Sequence, residues 1–313
     1  MKIVYAGTPE FAVAPLENLI KAGFCVVGVV TQTDKPQGRK GILTPPPVKV
    51  KAEGYGIPVF QPEKIRDFVS ELRALKADVM VTCAYGQILT QDVLDVFEKG
   101  VWNIHAGLLP FYRGASPIQS CILNGETQTG VSILKTELGL DSGPILLVEK
   151  TDIENGETCG ELSARLSLLG AKAIVSALNK VNSGDFTLLE QGEEGVNTVR
   201  KIGKEHAKID FFKSADEIVN LVRAMNPAPL AYASVNGLKI NVFTAEKADD
   251  IQAEESVKVG EIVSDIPKKG LIVKCRNGFL KILELQPSGG KKMRASDFLN
   301  GRKVKKGDVF NAD

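Results

Sequence analysis

Two hydrophobic patterns alternate along the first half of the chain. Short, nearly continuous apolar runs begin at residues 2 (KIVYA), 25 (CVVGVV), 57 (IPVF), 77 (ADVMVTCA) and 101 (VWNIHA). Between them, PEFAVAPLENLIKAG, VKVKAEGYG, IRDFVSELRAL and LTQDVLDVFEKG carry apolar residues at helical spacing. Gly23 and Gly100 sit where helix stops belong. Strands that are apolar throughout are buried on both faces. The alternation therefore predicts a doubly wound, mostly parallel α/β sheet of Rossmann-like type. SPIQSCILNG extends the series as a helix, and TGVSILKTE and PILLVEKTDI as strands flanking the loop LGLDSG. A long helix is predicted over roughly 159–182, followed by a polar connector, NSGDFTLLEQGEEGVNT.

The pattern changes near residue 205. SADEIVNLVRAMNP reads as a helix halted by proline, and short strands dominate after it. Two Asn-Gly pairs lie between apolar runs, in SVNGLKINVF and IVKCRNGFLKIL, and this is a hairpin signature. Short strands at even spacing predict a small OB-like barrel. The expected organisation is a catalytic domain over 1–189, a linker over 190–205 and a barrel over 206–313. No internal repeat is visible.

Charge divides along the same line. From Lys268 onward there are 12 Lys and Arg against 4 Asp and Glu, a balance of +8, whereas residues 1–267 balance at −7. A basic C-terminal part fits a polyanionic partner, and fits equally a solvated basic surface. The five cysteines are scattered and the chain has two histidines. No zinc site can be assembled from them at familiar spacings, and dispersed thiols suit a reducing compartment. No apolar run approaches the about 20 residues of a membrane span. No targeting segment precedes the first strand, so a soluble cytoplasmic protein is expected.

The loop after the first strand, AGTPEF, lacks the G-x-G-x-x-G of a dinucleotide site, and no phosphate-loop motif occurs elsewhere. Nicotinamide and nucleotide triphosphate chemistry both lose support. NIHAGLLPFYRG, residues 103–114, holds one of the two histidines. Side chains two apart on a strand face the same way. Asn103 and His105 would project together from the C-terminal end of a parallel strand, where α/β folds bind ligands. His105 is suited to proton transfer and Asn103 to holding an oxyanion. Asp141, flanked by glycines in GLDSG, is a partner for the imidazole. On spacing alone, His105 as a core histidine and Asp141 as a turn residue stand as the alternative.

NIHAGLLPFYRGASPIQ resembles the N-x-H-x-S-L-L-P-x-x-R-G signature of the folate-dependent formyltransferases. GVSILKTELGLDSGPIL resembles the segment that carries their catalytic aspartate. The likeness continues through TQTDKPQGRKGILTPPPVKVKA, GIPVFQPEKI, AYGQIL, KIGKEHAKIDFFKSADEIVNLVRAMNPAP and LQPSGGKKMRASDFLNGR, and so spans nearly the whole chain. It includes a C-terminal domain that smaller members lack. The resemblance implies transfer of a formyl group from 10-formyltetrahydrofolate, as co-substrate, to the α-amino group of methionine on initiator Met-tRNA. No metal, nicotinamide or membrane is involved, and a monomer is expected.

By the same resemblance Asn103, His105 and Asp141 are catalytic, and Asp141 orients His105 and raises its pKa. Gly107, Leu108, Leu109 and Pro110, with Tyr85, Gly86 and Gln87, line the folate site. Gly107 departs from the family serine. The long Asp34–Lys49 loop contacts the tRNA acceptor end through Arg39 and Lys40. Lys291, Lys292, Arg294, Arg302 and Lys303 meet phosphates, giving affinity and salt dependence rather than base readout.

Overall fold

The structure is a computed structural model that describes residues 1–38, 41–249, 251 and 256–311. It divides into two compact units. The first comprises Met1–Pro117, Gln128–Asp152 and Ser163–Val199; the second comprises Ile118–Thr127, Ile153–Leu162 and Arg200–Asp313. Two short segments of the expected catalytic domain thus belong to the second unit. Residues 190–199, within the expected linker, belong to the first.

Among the described residues, a seven-stranded sheet organises the first unit. Its order is Ile145–Asp152, Gln128–Lys135, Val101–His105, Val79–Cys83, Lys2–Gly7, Cys25–Val30 and Val59–Phe60. The last five strands run parallel. The first two add an antiparallel edge. Val79–Cys83 is buried throughout, as a central strand covered on both faces must be. Val4, Ala6, Val30, Met80, Val93 and Val101 share one core with Tyr85.

Several predicted helices are shorter in the structure. LTQDVLDVFEKG keeps one turn, Gln91–Leu94. The 65–75 stretch splits into a 3-10 turn, Ile65–Asp67, and a helix, Val69–Ala74, with Phe68 between them at φ −113°. Lys35–Gln37 and Ile42–Thr44, expected to be loop, pair with each other antiparallel. The long helix runs Cys159–Ser183. Thr158 and Glu161 cap its start reciprocally, Glu161 accepting from the Thr158 N–H at 2.9 Å and Thr158 Oγ1 from the Glu161 N–H at 3.3 Å.

In the second unit an antiparallel, OB-like half-barrel runs Ala231–Val235, Leu238–Lys247, Phe279–Pro287, Leu271–Lys274 and Ile262–Ser264, with Met293–Arg294 pairing beside Phe279–Pro287. Asn236 and Gly237 turn the first hairpin at φ 50° and 73°, the left-handed pair that a two-residue turn requires. The helix Ala215–Ala224 begins with a Ser214–Glu217 capping box and packs Ile218 and Val222 into this unit's core. Among the described residues, no helix is long and apolar enough to cross a membrane.

Candidate functional site

Asn103 and His105 end the fifth parallel strand counted from the Val59–Phe60 edge, at the C-terminal edge of the sheet. The strand register places His105 opposite Ser132. The loop bearing Asp141 enters the same place, and the three side chains meet. Asn103 Nδ2 donates to Asp141 Oδ1 at 3.1 Å. Asp141 Oδ2 accepts from the Gly114 N–H at 2.9 Å and lies 3.4 Å from His105 Nδ1. The Thr82 hydroxyl donates to Asn103 Oδ1 at 2.9 Å, which turns the amide's N–H side toward the carboxylate.

His105 is 4% exposed. Its Nε2 lies 3.0 Å from the Tyr112 carbonyl, so that nitrogen donates there. Both ring nitrogens therefore face acceptors, and a neutral imidazole can satisfy only one of them. Burial pushes the imidazole below the ordinary histidine range; the Asp141 carboxylate, and after it the Tyr112 carbonyl, oppose that shift without overcoming it. The net direction is the reverse of the one expected from Asp141 alone, because enclosure of the ring is the larger influence.

The loop Gly107–Pro110 is tied by one buried hydroxyl. Ser132 Oγ donates to the Gly107 carbonyl at 2.7 Å and accepts from the Leu109 N–H at 3.2 Å. Leu109 packs on Leu134 and Ile145, and Leu108 is half-buried. A Cβ on Gly107 would lie 3.0 Å from His105 Nε2, so a side chain here presses on the imidazole edge.

The turn at 85–87 is held by contacts within the protein. The Tyr85 ring lies in the core and its hydroxyl has no hydrogen-bond partner; burial pushes the phenol up to about 12. Its carbonyl accepts from Thr8 Oγ1 at 2.9 Å and Gln32 Nε2 at 3.3 Å. Gly86 adopts φ 87°. The Gln87 amide is occupied by the neighbouring loop, accepting from the Ile65 N–H at 2.7 Å and donating to the Pro62 carbonyl at 3.2 Å. The side chains of Tyr85 and Gln87 are thus engaged within the protein, and the turn exposes mainly backbone.

Arg39 and Lys40 lie outside the described residues. The root of their loop is fixed: Lys49 Nζ donates to both Asp34 oxygens at 3.0 Å and to Gln61 Oε1 at 2.8 Å. In the second unit Lys291, Lys292, Arg294, Arg302 and Lys303 are all exposed along one stretch of chain. Lys292 Nζ meets Glu284 Oε2 at 2.9 Å and stands 4.8 Å over the Phe243 ring.

Sequence reasoning missed four contributors. Thr82 and Ser132 were readable as polar letters inside apolar strands. Gln191 and Asn197 carried no signal in a polar connector. The Tyr112 N–H donates to Asn197 Oδ1 in a short contact. The Arg113 guanidinium donates to Gln191 Oε1 from Nε at 3.0 Å and from Nη2 at 2.7 Å. Arg113–Gly114 also pairs in parallel with Thr198–Val199. The approach is so close that a Cβ on Gly114, at φ 113°, would clash with the Val199 carbonyl oxygen.

A shielded imidazole beside a carboxylate, with an amide donor at the same point, is equipped for proton transfer coupled to stabilisation of an oxyanion. Among the described residues, no group of three His, Cys, Asp or Glu side chains is placed to hold a metal ion. Proton transfer coupled to oxyanion stabilisation is chemistry suited to group transfer at a carbonyl carbon.

The chain belongs to the formyl transferase family: the family model matches residues 1–178, and the model of the formyl transferase C-terminal domain matches residues 201–303. A methionyl-tRNA formyltransferase of Bacillus velezensis is 41% identical over 312 residues, covering 99% of this chain and 97% of the relative. Another, of Neisseria gonorrhoeae, is 43% identical over 311 residues, covering 98% and 99%. Among solved structures, the N-formyltransferase from Helicobacter canadensis in complex with folinic acid and dTDP-3-aminofucose has a TM-score of 0.68 at 19% identity, covering 94% of this chain and 100% of its own. HypX from Aquifex aeolicus has a TM-score of 0.67 at 18% identity, and this chain spans 48% of its length while 98% of this chain is covered. Those two likenesses concern the fold alone.

Proposed function

We propose that this chain transfers the formyl group of 10-formyltetrahydrofolate to the α-amino group of methionine on initiator Met-tRNA, for translation initiation. The observation that carries the proposal is the convergence of Asn103, His105 and Gly114 on the Asp141 carboxylate, in a chain about 41% identical end to end to relatives named for this reaction.

The chemistry follows from the site. An α-amine has a reference pKa near ~7.7–8.0, so a useful neutral fraction exists at physiological pH. That amine attacks the formyl carbon, a C–N bond forms, and the carbonyl electron pair moves onto oxygen. The Asn103 amide stabilises the oxyanion. His105, held neutral by burial, takes the proton that the attacking nitrogen must shed. The resulting imidazolium is stabilised by Asp141 at 3.4 Å. Collapse of the adduct breaks the bond to the folate nitrogen, and the imidazolium returns its proton there. For this, Tyr112 must release Nε2; the ring then keeps its proton on Nδ1 toward Asp141 and offers the Nε2 lone pair. No covalent intermediate on the protein is needed, and the cysteines take no part.

Folate meets the sheet's C-terminal crevice at Gly107–Pro110 and the backbone of 85–87. In the second unit, the exposed cations Lys291, Lys292, Arg294, Arg302 and Lys303 supply phosphate contacts. Arg39 and Lys40, on the anchored loop, reach the acceptor end. A small amino-sugar acceptor is the rival reading, and the basic stretch of the second unit favours tRNA over it. The test offers labelled 10-formyltetrahydrofolate with initiator Met-tRNA, elongator Met-tRNA and an amino sugar nucleotide. Transfer confined to the initiator supports the proposal; transfer to the sugar alone rejects it.

A further inference from the structure

The two family models end at residue 178 and resume at residue 201, leaving the connector between them unmatched. Yet one connector side chain has all the hydrogen-bonding capacity of its amide committed beside the catalytic carboxylate. Gln191 Nε2 donates to the Asp141 carbonyl at 2.8 Å and to the Gly143 carbonyl at 2.7 Å. Its Oε1 accepts two N–H groups from Arg113, at 3.0 and 2.7 Å. A primary amide has two donor hydrogens and two acceptor lone pairs, and here each has a partner.

The groups that Gln191 joins come from the two loops that make the site. Asp141 holds a left-handed backbone, φ 48°, which is uncommon for a residue with a Cβ and needs support from its surroundings. Bridging the carbonyls of 141 and 143 supplies that support. Arg113 precedes Gly114, whose N–H donates to Asp141 Oδ2 at 2.9 Å. Gln191 therefore acts on the carboxylate from both sides, through its own backbone and through the neighbour of its N–H donor. An open cavity of about 320 Å³ is lined by Arg113, Ser142, Gln191, Gly192, Glu193 and Val196.

We infer that Gln191 is a positioning residue for the formyl-transfer reaction, holding Asp141 in register with His105 and Asn103. The chemistry of the position is narrow. Glutamate keeps the acceptor for Arg113 and loses both donors to the carbonyls. Leucine loses everything. Asparagine keeps the amide but falls short by one methylene.

The inference rests on the proposed function for its kinetic arm and stands without it in a spectroscopic one. The chain has two histidines, and His206 is exposed, so the ring signals of His105 can be followed by nitrogen-15 NMR without a substrate. In Gln191→Leu and Gln191→Glu we expect folded protein, displaced His105 ring signals with His206 unmoved, and kcat reduced about 10- to 100-fold with the KM for 10-formyltetrahydrofolate within about twofold. Both variants should lose comparable rate, because both lack the donors. A variant with wild-type kcat, or one whose rate falls in proportion to a lowered Tm while the His105 signals stay in place, overturns the inference. Should Gln191→Leu not fold, Gln191→Glu and Gln191→Asn carry the same expectation. Wild-type protein that formylates no Met-tRNA while the variants still displace the His105 signals would reject the substrate reading and keep the clamp.

Discussion

The carbonyl of Tyr112 lies 3.0 Å from Nε2 of His105, on the ring nitrogen opposite the one that faces Asp141. The imidazole is thus engaged on both sides, and the loop bearing Tyr112 must yield one of them for chemistry. In the proposed reaction His105 carries the proton, so its replacement acts on the chemical step. Replacement of His105 by asparagine should lower kcat by about 10²–10⁴, the usual contribution of a positioned acid–base group, and leave tRNA affinity within about twofold. Steady-state kinetics together with a binding titration check both halves.

Asp141 touches no substrate proton in this scheme; it supports the imidazolium that forms once His105 takes one. Asp141→Asn keeps the shape and removes the charge. The expected result is a kcat lower by about 10²-fold or more, with the acid limb of the pH profile displaced to lower pH because the attraction that raises the imidazole pKa is gone. An unchanged acid limb would detach Asp141 from His105.

Stability should depend on pH through the same ring. The folded pKa of His105 is depressed below its unfolded value, so the unfolded chain binds more protons just below about pH 6.5. This contribution to stability is complete above that pH and is lost as pH falls toward and through the folded value. The wild-type Tm should therefore decline more steeply between about pH 6.5 and pH 5 than that of His105→Gln. Parallel declines in thermal scans would count against a depressed imidazole.

The root of the Asp34–Lys49 loop is a polar clamp in which Gln61 and Lys49 hold the Asp34 carboxyl below the usual carboxylate range. Lys49→Met loosens the root and leaves the core alone. We expect the KM for tRNA to rise about fivefold with the KM for folate unchanged. Equal rises in both would detach the loop from tRNA.

The phosphate contacts proposed for the second unit can be read by salt. Neutralising Lys291 and Arg294 together should weaken initiator and elongator tRNA alike. The slope of log affinity against log salt should become shallower by about one per contact removed. A loss restricted to the initiator would instead mean base readout.

Much of this was legible in the sequence, for physical reasons. Strand period put Asn103 and His105 on one side, and apolar runs such as VMVTC identified a central parallel strand. Asp141 was marked by the glycines around it and by the family pattern. The pairing of Lys35–Gln37 with Ile42–Thr44 was hidden because Pro36 and polar residues mask its alternation. The helix predicted over 89–100 shrank to Gln91–Leu94. Gln191 was unreadable, because its role comes from long-range contacts with residues 113, 141 and 143 that leave no local period. The direction of the His105 shift was equally hidden, because burial is a property of the fold.

The most direct measurement is single-turnover transfer of labelled formyl to initiator Met-tRNA by wild-type protein and by His105→Asn, each saturated with both substrates. The account predicts rapid transfer by the wild type and a rate constant lower by about 10² or more in the variant. Equal rate constants would contradict it.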